Sequence, residues 1–440
     1  MRLRFPIVWG VLVGLAAPAL AEQPKREVPD YDSRDGEPAT AGDVLLWIPR
    51  VTFFPVHLLT EYVIRTPLRA VISWAEEEQI PAKVEDLITF GPNKEGALIP
   101  SLLFDFGLLP SAGFYLFWND PSGHHLRFHA ATWGPKWIAA TAADRIDLDE
   151  DTSITLLFGG LRRQDLIYNG IGPRSDDALR SRYGSTVLDG GLSFTQWFFG
   201  SSNFDASLGA KFLHFHEGTC CTDPSLETRV GRGDLPTPPG FYDHYTVLYG
   251  RLGLALDSRS TTALLGSGVR LAGKFGPSIE ATSDNPRTWL RYSGEVGGYL
   301  DLTGKQRIVS LTFAAAFVDP IGRTVVPFTE QVTLGGNDLM PAFLPGRLID
   351  QSAVVATLGY AWPIWAFLDG SLHAAVGNVF GEHLEDFDPK LLRMSYGLGI
   401  KQADERDYPF EVLVAIGTRP FVDGGEIDSV RIVFGGTRGF

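Results

Sequence analysis

Between Val354 and Val376 apolar residues recur at every second position, and this period constrains the fold more than any other feature of the chain. Val354, Ala356, Leu358, Tyr360 and Trp362 fall on one side of an extended segment, and Val355, Thr357, Gly359 and Ala361 on the other. A helix would scatter these residues around its axis, whereas a strand sorts them onto two faces. The next run repeats the pattern, with Leu368, Leu372, Ala374 and Val376 set against Phe367, Asp369, Ser371 and His373 after a turn expected at Pro363 and Ile364. Two strands joined so tightly are antiparallel neighbours. A wall that is apolar on one face and small or polar on the other suits a barrel whose outside meets lipid.

The two ends of the chain fit that reading. Arg2 and Arg4, the apolar run over residues 5–15 and Ala19-Leu20-Ala21 have the order of a cleavable secretory signal over residues 1–21, with the mature protein starting at Glu22. That run is too short to cross a bilayer as a helix, and no later stretch offers ~20 uncharged apolar residues, so membrane crossing falls to strands. At the other end Val430, Ile432 and Phe434 alternate with Arg431, Val433 and Gly435, and the parity carries through to Phe440. A terminal aromatic closing an amphipathic strand resembles the assembly signal of bacterial outer-membrane barrels, which implies the cell outer membrane of a Gram-negative-type bacterium.

Composition narrows the partners. The hydrophobic fraction is 44% and the mean hydropathy +0.02, low for helical membrane proteins but natural where only alternate residues face lipid. Loss of residues 1–21 removes two of the 38 basic residues, leaving 36 against 52 acidic ones and a net charge near −16. Such a balance disfavours nucleic acid and anionic lipid as partners. The expected surroundings are outer-membrane lipid.

Along the chain, residues 22–40 are charged and proline-containing, the composition of a disordered leader. Residues 41–96 hold apolar residues at helical spacing, punctuated by Pro49, Pro55 and Pro67, and read as a short helical periplasmic or interfacial segment. It would lie on the membrane, plug the barrel or cap its rim. Residues 97–440 read as strand after strand. The fold class is all-β: a transmembrane antiparallel barrel of about 16 strands with a short helical N-terminal segment. Long loops are expected over residues 169–182, 217–240 and 335–347.

The stretch that shows the period also carries a family likeness. Thr333-Leu334-Gly335-Gly336, Met340-Pro341-Ala342-Phe343, Gly346-Arg347 and the segment 360–364 resemble the loop-6 region of the BamA/TamA-type assembly barrels, the bacterial surface antigen superfamily. Gly377-Asn378-Val379-Phe380 resembles the end of that family's next strand, and Tyr168-Asn169-Gly170-Ile171-Gly172-Pro173 with Tyr183 a further stretch found in the group. The resemblance implies that the loop joins strands 11 and 12 of 16 and enters the lumen, facing Asp369, His373, Ala375, Gly377 and Asn378. Family loops normally carry an Arg-Gly-Phe triplet whose arginine points toward an aspartate on the facing strand. Here Pro341, Ala342 and Phe343 occupy the triplet and Ala375 the aspartate position, so both charges are lost together, which leaves no unpaired ion in a confined place. Members that insert or secrete polypeptides also carry periplasmic POTRA domains, and residues 22–96 do not read as one.

Other chemistry is weak. His214, His216, Cys220 and Cys221 could bind zinc, but in an exported chain adjacent cysteines fit a disulfide better, with each other or between molecules. The acidic run Asp147, Asp149, Glu150 and Asp151 lacks the glycine and closing glutamate of a calcium loop and reads as a solvated turn. Arg232-Gly233-Asp234 is a chance match. No Gly-x-Ser-x-Gly elbow or His-Glu-x-x-His helix is present, and no enzyme, cofactor or metal is expected. The resemblance implies a role in outer-membrane protein assembly or in polypeptide or lipid translocation. A seam between residues 97–106 and 430–440 would open to nascent barrel proteins or an assembly machinery. The alternatives are a passive channel or structural surface barrel plugged by loop 6, and a surface receptor using the long loops.

Overall fold

A computed structural model of the chain describes residues 88–436, apart from 93, 121, 260–265, 283–285, 305, 338, 366–367 and 403–409, together with residue 62. The signal segment, the leader, most of residues 41–96 and Phe440 lie outside the described residues. The described end of the 41–96 segment contains a two-residue strand, Thr89–Phe90, that pairs with Gly96 and Ala97.

Sixteen strands close into one antiparallel barrel. They are β1 (Gly96–Asp105), β2 (Ser111–Asn119), β3 (His124–Thr132), β4 (Trp137–Asp147), β5 (Thr152–Tyr168), β6 (Ser181–Phe198), β7 (Ser202–Glu217) and β8 (Tyr245–Asp257). They continue as β9 (Gly268–Glu280), β10 (Thr288–Asp301), β11 (Ile308–Pro320), β12 (Ser352–Trp365), β13 (Leu368–Phe380), β14 (Arg393–Gln402), β15 (Phe410–Thr418) and β16 (Ile427–Gly436). Each pairs with its sequence neighbour, and β16 returns to β1. Closure leaves no open edge, the condition for a sheet to cross a bilayer. No described helix is long and apolar enough to cross a membrane.

The period-two pattern explains which way the wall faces. Leu358, Phe313, Leu208 and Phe158 are 53%, 52%, 69% and 63% exposed and point outward, whereas Val355 on the opposite parity is buried in the lumen. A continuous exposed apolar belt of this kind is the signature of a lipid-facing wall. One expectation needs correction. The strand does not turn at Pro363 and Ile364 but runs through them to Trp365, and the next strand starts at Leu368. The pairing slips between Pro363 and Trp365, a bulge that tolerates a proline without a ladder hydrogen bond.

The connections differ between the two ends. Turns such as 199–201 and 302–307 are short, and they share their end with the start of β1 and the end of β16. Residues 169–180, 218–244 and 321–351 are long loops at the other end. In outer-membrane barrels the long loops face outward and the short turns face the periplasm. The loop 218–244 contains the helix α1 (Leu226–Arg232), capped by Ser225 and ended by Gly233, so Arg232-Gly233-Asp234 is a helix terminus. Cys220 and Cys221 are bonded to each other.

The lumen is filled at the loop end. Tyr183, Phe215 and Phe241 surround Phe328 from loop 321–351, with ring centroids 5.3, 5.7 and 6.1 Å from it. Lys211 on β7 pairs with Glu330 at 2.5 Å, and Arg291 on β10 donates to the Glu330 carbonyl. This core anchors the long loop before it descends to the far wall.

Candidate functional site

Loop 321–351, the connection between β11 and β12, folds into the barrel. Its base is a ribbon in which Val332–Leu334 pairs with Leu348–Asp350. Its tip is a compact hairpin-like turn: Gly335 N–H donates to Leu339 O, Gly336 N–H to Phe343 O and Phe343 N–H to Met340 O. Gly335 has φ +108°, and a Cβ there would stand 2.4 Å from Leu344 O, so no other residue fits. Met340, Ala342 and Phe343 are fully buried.

The tip rests on the wall formed by β14, β15 and β16. Ala342 N–H donates to Ser395 Oγ at 3.1 Å, and Ser429 Oγ donates to Ala342 O at 2.6 Å. The Phe343 ring lies over Gly417, where a Cβ would approach it to 2.7 Å. Ser395 is the cross-strand partner of Ala375, and Ala375 is fully buried in the same apolar cluster as the tip. The surroundings of Ala375 and the loop tip are therefore apolar and closely packed.

A different ion pair stands beside it. Arg431 on β16 binds Asp105 on β1 through two parallel hydrogen bonds, Nε to Oδ1 at 3.0 Å and Nη2 to Oδ2 at 2.7 Å. The same guanidinium donates to the loop tip: Nη1 to Gly336 O at 2.6 Å and Pro341 O at 3.0 Å, and Nη2 to Asn337 Oδ1 at 2.9 Å. The side chains of Arg431 and Asp105 are only 2% and 9% exposed. Bidentate geometry and complete donor use are what make a buried guanidinium tolerable.

That pair bridges the junction at which the barrel closes. β16 and β1 share three residue pairs, Val433 with Asp105, Phe434 with Phe104 and Gly435 with Leu103, and Phe106 N–H adds a bond to Ile432 O at 3.0 Å. The flanking junctions are long ladders, from Gly96 to Leu103 between β1 and β2 and from Phe410 to Thr418 between β15 and β16. Among the described residues the seam is thus a short ladder, held from inside by Arg431 and the loop tip.

A second cluster fixes the loop's return limb. Asp428, also on β16, accepts from Arg347 Nη2 at 3.1 Å and Arg393 Nη1 at 3.2 Å. Both guanidinium groups also reach the 169–180 loop: Arg347 Nη1 donates to Ser175 Oγ at 2.9 Å and Arg393 Nη2 to Ser175 O at 2.7 Å. Asn378 Nδ2 donates to Pro173 O and Leu391 O. Gly172 N–H donates to Ile349 O at 3.0 Å. The 168–173 stretch is accordingly the dock for loop 6.

Of the residues expected around loop 6, Gly335, Gly336, Met340, Pro341, Ala342, Phe343 and Arg347 form the tip and its anchors, and Gly346 is a turn residue with φ +77°. Asp369, His373, Ala375, Gly377 and Asn378 line β13, but His373 and Asn378 serve different neighbours: His373 Nε2 lies 3.4 Å from Ser395 Oγ. Val430, Ile432 and Phe434 point outward, 60%, 38% and 44% exposed. Asp105, Arg393, Asp428 and Arg431 escaped the sequence reading. Arg431 is the one cation of β16 (Ile427–Gly436), a signal that the sequence does carry. Asp105 had no local signal, because its partner is 326 residues away.

Residues 241–404, from the end of the 218–244 loop through β14, match the Omp85 superfamily domain. No curated protein sequence matches the chain. Among solved structures it is similar to BamA from Haemophilus ducreyi lacking POTRA domains 1–3, with a TM-score of 0.51 at 12% identity over 78% of this chain and 70% of that one. It is also similar to CdiB from Acinetobacter baumannii, with a TM-score of 0.47 at 11% identity over 78% of this chain and 59% of that one. The chain is a sixteen-stranded antiparallel β-barrel with a fold similar to that of BamA, and its residues 241–404 match the Omp85 superfamily domain.

Proposed function

We propose that this barrel acts in the outer membrane of a Gram-negative-type bacterium, in protein assembly or in polypeptide or lipid translocation, by opening between β16 and β1. The observation that carries this reading is the internal latch that Arg431, Asp105 and the loop tip make across the junction of β16 and β1. Opening exposes strand edges that can pair with a client strand, the same physics as strand addition. Latch and ladder are both non-covalent, so the step needs no catalytic group or cofactor. Loop 6 in the lumen argues against a wide passive pore, while a plugged structural barrel would share the filled lumen but has no use for a latch that ties the loop tip to the closing strands.

Cysteines at Phe104 and Phe434, directly opposed across the seam, test the proposal. A photocrosslinker at Leu103 should capture nascent barrel proteins in the reduced protein and lose them when the 104–434 disulfide forms. Equal capture in both states would contradict a seam mechanism.

Two further outcomes follow. The folded protein should fractionate with the outer membrane and migrate faster unheated than boiled, and deletion of Phe440 should lower its insertion; unchanged insertion would remove the C-terminal strand as an assembly signal. Residues 22–96 do not read as a POTRA domain, so depletion should leave bulk porin levels intact; a general fall in porins would assign the chain a housekeeping role instead.

A further inference from the structure

The outer wall carries a groove where β3 to β8 pass the loop end. It is floored by small residues, Ala140, Gly160, Gly190 and Ala210, and walled by Phe128, Phe158, Leu188 and Phe212, enclosing a cavity of about 570 Å³. Register places these side chains in two transverse rows: Ala140, Gly160, Leu188, Phe212 and Thr246 in one, and Ala142, Phe158, Gly190, Ala210 and Leu248 in the next toward the short-turn end. The glycines create the depth. A Cβ at Gly190 would stand 3.1 Å from the Phe158 ring, and one at Gly160 would stand 3.3 Å from Leu188 Cδ2.

The row immediately above the groove, toward the long loops, changes character. It reads Ile138, Arg162, Thr186 and His214 across β4, β5, β6 and β7, and the His244 ring stacks on His214 at 3.8 Å. His216, one step higher on β7, packs against His214 at 4.7 Å and shares a 2.6 Å hydrogen bond with Thr186. Arg162 is exposed, and among the described residues no carboxylate pairs with it. An exposed guanidinium and three clustered imidazoles crowning an apolar trough are unusual in a chain of net charge −14. The parity of β7 puts His214 and His216 outward with Phe212, so they are no part of the lumen.

We propose that this feature is a lipid site: the trough takes an acyl chain, and Arg162 with His214, His216 and Thr186 holds the phosphate headgroup of an anionic lipid in the leaflet next to the long loops. The apolar trough and the donor row stand one register step apart, as chain and headgroup do in a lipid, and a guanidinium matches phosphate oxygens in charge and geometry. The occupant is a membrane lipid and not free phosphate, because the donors are built onto the rim of an apolar surface. The site is separate from the seam, so its fate is independent of the reading above.

Native mass spectrometry of the full chain in detergent, with dioleoyl phosphatidic acid as probe and dioleoyl phosphatidylcholine as control, tests it. Wild type should retain the phosphatidic acid in preference, Arg162→Gln should reduce that retention about fivefold while leaving phosphatidylcholine unchanged, and Arg162→Lys should keep most of it. Gly160→Leu, which fills the trough, should weaken both lipids. Heat-modifiable migration of each variant establishes that it is folded, and Arg162→Lys carries the comparison if Arg162→Gln is not. Equal retention of the two lipids by wild type, or undiminished phosphatidic acid binding in Arg162→Gln, would overturn the proposal.

Discussion

Replacing Asp428 by alanine should be among the most damaging single changes to this barrel. The carboxylate is 4% exposed and faces two guanidinium groups, Arg347 and Arg393, that are 4% and 2% exposed. Removing it leaves two buried cations near one another, with backbone carbonyls, Ser175 Oγ and, 3.6 Å from Arg347 Nε, the Asp177 carboxylate as their remaining partners. Breaking a buried pair by deleting one partner costs about 3–5 kcal/mol, and here two cations are left behind. The expected result is a large fall in the temperature at which the folded gel band disappears, with loop 6 becoming accessible to protease at Arg347. Asp428→Asn keeps the shape and loses the charge, so it should fall between wild type and alanine. A variant as heat-resistant as wild type would show that the lumen is wetter than its burial suggests.

The second large effect is expected at the seam. Arg431→Ala strands the Asp105 carboxylate and removes the donor shared by Gly336 O and Pro341 O, a loss of about 3–5 kcal/mol from the buried pair alone. Asp105→Ala should cost less, because Arg431 keeps its three acceptors on the loop. Arg431→Met combined with Asp105→Leu removes both charges and should recover much of the stability, so the double change is far from the sum of the singles. Stability and gating then separate: the apolar pair restores the heat resistance of the barrel but not the attachment of the loop tip to β16. Simple additivity would mean that Arg431 and Asp105 do not act as one unit.

The barrel could be read from the sequence because its cause is local. Every second residue faces lipid, and the alternation of Val354 to Trp362 reports that whatever the distant partners are. Loop 6 was legible for another reason: Gly335 and Gly346 are fixed by backbone conformations that few residues adopt. The latch was not legible. The Arg431 to Asp105 contact joins opposite ends of the chain through closure of the ring, and no window of sequence holds both. The bulge at Pro363 was misread as a turn because proline marks both, and only the pairing of β12 with β13 tells them apart. The groove on the outer wall was hidden for a similar reason, since Gly160 and Gly190 look like ordinary close-packing glycines until the strands stand side by side.

The central claim is that the seam between β16 and β1 opens when the latch is released. Spin labels at Phe114→Cys on β2 and Val414→Cys on β15 flank it on the outer face, and the native cysteines are already bonded to each other. With β1 and β16 between them in a closed wall and the two positions offset by several residues along the strands, the two backbones stand roughly 25 Å apart. Electron-electron resonance on the protein in lipid nanodiscs should give one short distance for wild type and an added longer population for Arg431→Ala. Superimposable distance distributions for the two proteins would contradict the account.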